Sequence, residues 1–456
     1  MRFWNSQWVR ELVRANRQAK TRLYFFTTTD VHFRRKRVYG TYWNPKRRKW
    51  MRKAFPLPDV LYDRGGNKRS KVRTRLIRNT MRQMEIKTIN PRITFNKWEM
   101  YNILKQNPEI APHLPPTIYA TSMQDIRQML KDARVVYLKA FYGSRGTKVV
   151  RVAKTKKGYT FSYFRKRLVI RKKSNFKKVR RSIRSFFGKR RILAQHGIKL
   201  LRYKGNLVDL RAEATRNGND EIEMAGVSVR VSRKKSPITT HASVYSFEAF
   251  FGKKMNYSEE QLEWLKSKIR RFVTQVYEAV EAEYGKFGEI GIDFGLDREG
   301  HIWFIECNAR SAKVSLMKAY DGNEKKKSFV NLLEYAKLLA PKVKIRVKKA
   351  RGKKRVLKKR RGPFRKRRSM HRRHTGRRVV RRYLAKRGRR RVRRRNLRRF
   401  RRKPVRSQTI HRARKPLGHR YRTPLKRNGR VFLAKKVRIP FRKNGRKRTF
   451  RRKRGV

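Results

Sequence analysis

Apolar positions recurring every three or four residues, and apolar positions alternating with polar ones, divide this chain into helices and strands. The clearest helix runs from Tyr257 to Tyr284. Ser258 caps it, Gln261 closes a capping box, and Leu262, Leu265, Ile269, Phe272, Val276 and Val280 trace one apolar face. Shorter helices are predicted over 96–106 (NKWEMYNILKQ), which stops before HLPPT, and over 122–133 (SMQDIRQMLKDA), with Ser122 as its cap. RTRLIRNTMRQM and NFKKVRRSIRSFFG read as basic amphipathic helices, and SFVNLLEYAKLLA as a closing helix ended by Pro341.

Between these helices short strands dominate. VVYLKAF, TKVVRVA, GYTFSYF, RLVIRK, RILAQHGIKLL, LVDLRAEATR and MAGVSVRVS alternate or run apolar, with NGND as a turn between the last two. GIDFGL and HIWFIECN form a hairpin on the turn DREG. In the first fifty residues aromatics alternate with arginines (YFFTTTDVHFRRKRVYGTYW), which suits short strands with one basic face, and FPLPDVLYDRGG reads as turn, strand, turn. The whole is an α+β protein. It divides into a basic N-terminal segment of short strands (1–54), a small region at 55–95, a main domain at 96–340 and a tail at 341–456.

Charge sharpens this division. The 456 residues hold 133 Lys+Arg against 29 Asp+Glu, a formal net charge of +104. Residues 341–456 carry 57 of the basic residues and no acid, which leaves +47 for 1–340. Repulsion among the tail's like charges is not offset by burial, so the tail is expected to be disordered until it meets a polyanion, nucleic acid among them. No helix-turn-helix, zinc-finger or RNA-recognition signature points to sequence-specific readout. No apolar run suits a membrane span and MRFWNSQWVR is too short a start for a secretory signal, so cytoplasmic synthesis is expected. The single cysteine, Cys307, excludes an internal disulfide framework and a multi-cysteine zinc site.

Against this background GIDFGLDREGHIWFIECN (291–308) gathers four carboxylates. Pairing Leu296 with His301 and Asp293 with Phe304 puts Asp293, Glu306 and Asn308 on one face, with Glu306 diagonal to Asp293. Two carboxylates and an amide oxygen suit Mg²⁺, which completes its shell with phosphates and water. The same pattern also fits an exposed face whose acids neutralise nearby arginines. Asp297 and Glu299 belong to the turn. Upstream, YLKAFYGSRGTKVVRV (137–152) is a strand carrying Lys139, a glycine-containing turn whose N–H groups suit phosphates, and a second strand. LVDLRAEATR sets Asp209 and Arg211 on one face, and GVSVRVS repeats the arrangement with Arg230.

In chain order, the lysine strand, glycine turn, D-x-R strand and D-x12-E-x-N hairpin resemble an ATP-grasp domain, and more closely the YheC/YheD-type ATP-grasp proteins associated with the bacterial endospore coat. The resemblance runs from PLPDVLYDR through the helix after the hairpin. It implies two α+β subdomains gripping a nucleotide, behind a small pre-ATP-grasp region. It also implies ATP and Mg²⁺ as cofactors, and ligation of a carboxylate to an amine or similar nucleophile of a small-molecule or peptide acceptor through an acyl-phosphate. By resemblance, Lys97 and Lys139 grip the phosphates, Gly143, Ser144 and Gly146 belong to the lid over them, and Gln195 and His196 lie by the adenine. Arg211 and Arg230 hold the transferring phosphate, and Asp293, Glu306 and Asn308 ligate Mg²⁺. The sequence departs from the family pattern at Ala140 and Arg145, in THASVYSFEAFF, which lacks a glycine pair, and in NARSAKVSL, which lacks a proline. The acceptor-side segments have drifted most, so a catalytically weak structural coat protein with a polyanion-binding tail is the competing expectation.

Overall fold

The structure, a computed structural model, describes residues 6–65, 71–143, 146–165, 167–234, 236–239 and 242–341. The tail expected to be disordered lies, apart from Pro341, outside the described residues, as does Ser144.

The N-terminal segment corrects one expectation. The predicted strands appear as β1 (Val31–His32), β2 (Arg37–Asn44) and β3 (Lys49–Pro56), an antiparallel sheet, but a helix, α1 (Gln7–Ala19), precedes them. Ser6 caps α1 by accepting from Val9 N, and Leu12, Ala15 and Ala19 recur at helical spacing and are buried. The strand reading rested on the aromatic alternation downstream and missed this shorter period. Next, β4 (Val60–Leu61) and β5 (Lys87–Thr88) pair in parallel across the intervening α2 (Lys71–Gln83).

The first of the two main subdomains follows α3 (Lys97–Gln106). It comprises β6 (Thr117–Ala120), α4 (Met123–Asp132), β7 (Val135–Ala140), β8 (Val149–Thr155), β9 (Gly158–Phe164), β10 (Leu168–Lys173), α5 (Phe176–Phe187) and β11 (Ile192–His196). Its strands lie in the order β10-β9-β8-β7-β11-β6. Ile126 and Leu130 of α4 and Val179, Ile183 and Phe187 of α5 share a core with Val136, Leu138, Val150 and Val152 of the sheet. β11 ends at His196, so the expected longer strand through Leu201 is shorter than its apolar pattern suggests.

The second subdomain comprises β12 (Arg202–Tyr203), β13 (Asn206–Arg216), β14 (Ile222–Val231), β15 (Ser243–Ser246), α6 (Phe247–Phe251), α7 (Glu259–Tyr284), β16 (Glu289–Leu296), β17 (Ile302–Asn308), α8 (Val314–Ala319) and α9 (Asn323–Leu339). Its main strands run β15-β14-β13-β16-β17. All six predicted apolar residues of α7 are buried, and the Ser258–Gln261 capping box is formed. α8 and α9 also pack on the sheet, so β16 is buried along its whole length.

Several links tie the N-terminal region to this subdomain, among them a shared core, a buried charge cluster and the Asn90 side chain, which bonds the backbone of Gly288, Glu289 and Ala309. Leu12, Ala15 and Ala19 of α1 share a core with Phe329, Leu332 and Leu333 of α9. Buried Glu289 accepts from Tyr62 at 2.5 Å and pairs with Arg64 at 2.9 Å and with fully buried Lys313 at 2.9 Å. Replacing Leu12, 1% exposed, by alanine leaves a cavity at the α1–α9 contact. A loss of about 2–5 kcal/mol in urea unfolding is expected. The same truncation at Leu76, 62% exposed, should change stability by less than about 0.5 kcal/mol.

Candidate nucleotide and metal site

Strand register builds the site row by row. Arg211 on β13 pairs with Ser228 on β14 and with Asp293 on β16, and Asp293 pairs directly with Glu306 on β17. One step along, Asp209 pairs with Arg230, and in the other direction Glu213 pairs with Gly291 and Gly291 with Asn308. Directly opposed residues share a face, so one surface carries Asp209, Arg211, Glu213, Arg230, Asp293, Glu306 and Asn308. Leu296 pairs with Ile302 instead of His301, and a bulge after Asp293 sets Phe294 opposite Phe304 while Asp293 faces Glu306. The expected diagonal relation between the two acids is therefore corrected to a direct one. The extra residue, Ile305, lies between two paired positions of β17 and carries the register shift.

Ion pairs fix this face. The Arg211 guanidinium meets Asp293 with both Nε and Nη2, the latter at 2.9 Å. Arg230 reaches Asp293 at 2.9 Å and Asp209 at 2.6 Å, and the Thr239 hydroxyl donates to Asp209. Ser311 donates to Glu213 at 2.6 Å, and Arg211 lies 3.9 Å from the same carboxylate. Gly291 makes room here, because a Cβ would run into the Arg211 guanidinium and lie 3.1 Å from Ser311.

The lysines approach from other elements. Asn96 caps α3 and Lys97 opens it; its backbone N–H donates to Phe141 O at 3.0 Å, and its ammonium pairs with Glu306. Lys139 on β7 donates to Gln195 Oε1 at 2.6 Å, and Gln195 Nε2 donates to Thr117 at 2.8 Å. His196 pairs with Val136, so its side chain leaves on the face opposite Gln195 and is not brought to the lysine. Gly146 has φ +66° and needs glycine, whereas Gly143 meets only ordinary contact with Lys148. Cys307 points away from Glu306 and is buried; burial pushes its thiol pKa up.

Burial and the neighbouring Lys97 lower the Lys139 pKa to about 8, against the opposing pull of Glu306 and Asp293. Burial alone would raise Glu306, but Lys97, by charge and hydrogen bond, with Lys139 and Arg211, brings it down to about 2. Burial pushes Asp209 and Glu213 up, against Arg230 in the first case and Lys313 and Arg211 in the second.

Hard oxygen donors suit Mg²⁺, and the donor set fits one. The Asn308 amide lies 3.3 Å from Asp293 and 3.4 Å from Glu306, and turning it over aims its oxygen toward the same two carboxylates. Among the described residues no group of three or more His, Cys, Asp or Glu is placed to hold a metal ion. Glu213 and Ser311 were absent from the candidates drawn from sequence, although the alternation that joins Asp209 to Arg211 extends to Glu213.

Two sheets, one bearing Lys139 and the other an arginine pair and an Asp–Glu–Asn set, with Lys97 at the start of α3, make up an ATP-grasp fold. A family described as YheC/D like ATP-grasp matches residues 85–339, more than half of the chain, and the chain belongs to that family. It is 25% identical to endospore coat-associated protein YheD of Bacillus subtilis (strain 168) over 342 residues, 73% of this chain and 74% of that protein. Endospore coat-associated protein YheC of the same organism is 20% identical over 303 residues, 64% of this chain and 81% of that protein. Among solved structures, the ATP-grasp ligase PsnB complexed with minimal precursor aligns at 11% identity and TM-score 0.42, covering 72% of this chain and 96% of its own. N5-carboxyaminoimidazole synthetase from Staphylococcus aureus complexed with ADP aligns at 11% identity and TM-score 0.38, covering 60% and 61%. Among the described residues no helix is long and apolar enough to cross a membrane.

The Glu306 carboxyl has an ordinary pKa of 4.5 and a folded value of about 2. Its stabilising contribution is therefore complete above pH 4.5 and is lost as the pH falls toward 2. Glu306→Gln should flatten the stability profile between those limits, measured by urea unfolding across pH. Gly291→Ala should cost about 1–3 kcal/mol by displacing Arg211, read by the same unfolding assay at pH 7.

Proposed function

We propose that this protein binds Mg-ATP at the face formed by β13, β14, β16 and β17, opposite Lys97 and Lys139, and uses it to join a carboxylate to an amine or similar nucleophile. The row Arg211–Asp293–Glu306, with Asn308 beside it, is the observation that carries this reading. The γ-phosphoryl group passes to the acceptor carboxylate, giving ADP and an acyl-phosphate. The nucleophile then attacks the acyl carbon, the bond from that carbon to the phosphate oxygen breaks, and phosphate leaves.

Lys97 and Lys139 bind the nucleotide phosphates as point charges, and Arg211 and Arg230 neutralise charge on the transferring phosphoryl group. Asp293 orients Arg211 through both its oxygens, so the guanidinium is set before substrate arrives. Asp293, Glu306 and Asn308 would hold Mg²⁺, which when bound supplies charge neutralisation at the phosphates. Gly143 and Gly146 belong to the turn that would cover them, and Gln195 orients Lys139. A cleft of about 420 Å³ lined by Trp8, Arg64, Ala312, Val314, Met317 and Lys318 adjoins the segment after Asn308 and offers the acceptor an apolar wall with two cations. The coat association of the two relatives supports a place in the endospore coat, and the 57 cations at 341–456 support polyanions such as acidic coat proteins, cell-wall polymers or nucleic acid as partners of the tail.

Saturation with Mg-ATP at about a hundredfold excess over Kd should raise the melting temperature of the full chain by about 3–5 °C. Glu306→Ala should abolish the shift, and an equal shift in that variant would overturn the site. ADP release stimulated by a carboxylate acceptor, and lost in Asp293→Asn, tests turnover. The lowered Lys139 pKa makes a further expectation. Above pH 8 the free protein loses the proton that phosphate binding needs, so ATP affinity should fall about tenfold per unit at constant ionic strength. Lys139→Arg, charged throughout, should remove that slope in a calorimetric titration.

A further inference from the structure

We propose that the N-terminal sheet of β1, β2 and β3 is a binding platform for single-stranded nucleic acid, separate from the nucleotide site and from the tail. Its inner face is fixed by the core, because Val38 is buried with Leu61, Ile77 and Met81, and Phe55, paired with Val38, is buried against the stacked ring of Tyr24. Gly40 lies on that face, where a Cβ would meet Tyr24 and Phe55.

Alternation then sends the intervening residues outward. Tyr39, Trp43, Trp50 and Arg52 share the outer face, with Trp43 directly opposite Trp50 and their rings 5.6 Å apart. His32, paired with Arg37, extends the row, its ring 5.5 Å from Tyr39. Tyr39 is 41% exposed, His32, Arg37 and Arg52 are exposed, with Arg52 paired to Asp30, and Trp43 and Trp50 are half-buried, Trp50 edge-on to Phe25.

Charge selects the occupant. Residues 31–56 contain ten Lys+Arg and no Asp or Glu. The exposed clusters Arg34–Arg37 and Lys46–Lys49 stand at the two ends of β2, and an open cleft of about 680 Å³ lined by His32, Phe33, Arg34 and Arg35 lies at the first. A row of aromatic rings flanked by cations fits a polymer with planar groups on a phosphate chain. A single strand offers its bases to such rings, whereas a duplex keeps them stacked inside, and acidic proteins and glycans carry the charge without the regular planar groups.

The test uses the full chain at about 0.5 M salt, where simple charge neutralisation is weakened. Fluorescence anisotropy compares labelled oligothymidylate with an abasic phosphodiester oligomer of the same length, and with heparin. Oligothymidylate should bind at least about tenfold more tightly than the abasic oligomer. Trp43→Ala with Trp50→Ala, which alters no charge, should remove that gap and leave heparin affinity unchanged. Equal affinity for both oligomers in the unaltered protein, or a gap that survives the double substitution, would overturn the proposal. Photo-crosslinking of oligothymidylate to the unaltered chain gives a readout that needs no variant. Crosslinked peptides should come from 31–56, and crosslinks confined to 342–456 would overturn the platform.

Discussion

Asp293 is the point on which the site depends. Its carboxylate holds Arg211 through both oxygens and Arg230 through one of them, and it sits directly across from Glu306. Three buried strands therefore meet at one anion, and none of their charges is solvated well enough to stand alone. Removing a single partner would leave an uncompensated charge in a low-dielectric setting, which costs more than the pair contributes. The geometry of the arginines and the position of the second carboxylate follow from that one residue.

Around it, the face is rich in both signs of charge. Lys97, Lys139, Arg211 and Arg230 confront Asp209, Asp293 and Glu306, so three acids of a very basic chain stand among four part-buried cations. Lys139 has an amide as its polar partner, not a carboxylate, and its lowered pKa is the mark of a cation short of counter-charge. An incoming phosphate would relieve that shortage. Lys97 differs in having Glu306 as its counter-charge, a pair that phosphate and metal would have to part.

Much of this was legible in the sequence because it rests on periodicity. The α7 face and its capping box, the D-x-R strand and the shared face of Asp293, Glu306 and Asn308 all follow from spacing alone. What escaped lies where spacing is silent. Trp303, Phe304 and Ile305 form a continuous apolar run, so nothing marks Ile305 as the bulged residue that brings the two acids into register. Gly291 looks like any glycine until Arg211 is seen to occupy the space of its missing side chain. α1 was hidden by the aromatic alternation after it, and its burial depends on α9, about three hundred residues away.

That last separation has a consequence for how the protein is made. Among the described residues α1 is synthesised before its main cover, because its apolar stripe of Leu12, Ala15 and Ala19 shares a core with Phe329, Leu332 and Leu333. At about 5–20 residues per second, the wait is roughly 15–65 s, during which the stripe is open to chaperones or to other nascent chains. The two halves of the sheet that carries Asp293 are also separated in synthesis by α7, so the body closes from its C-terminal side. Docking of α1 on α9 is therefore a late step in the synthesis of the described residues.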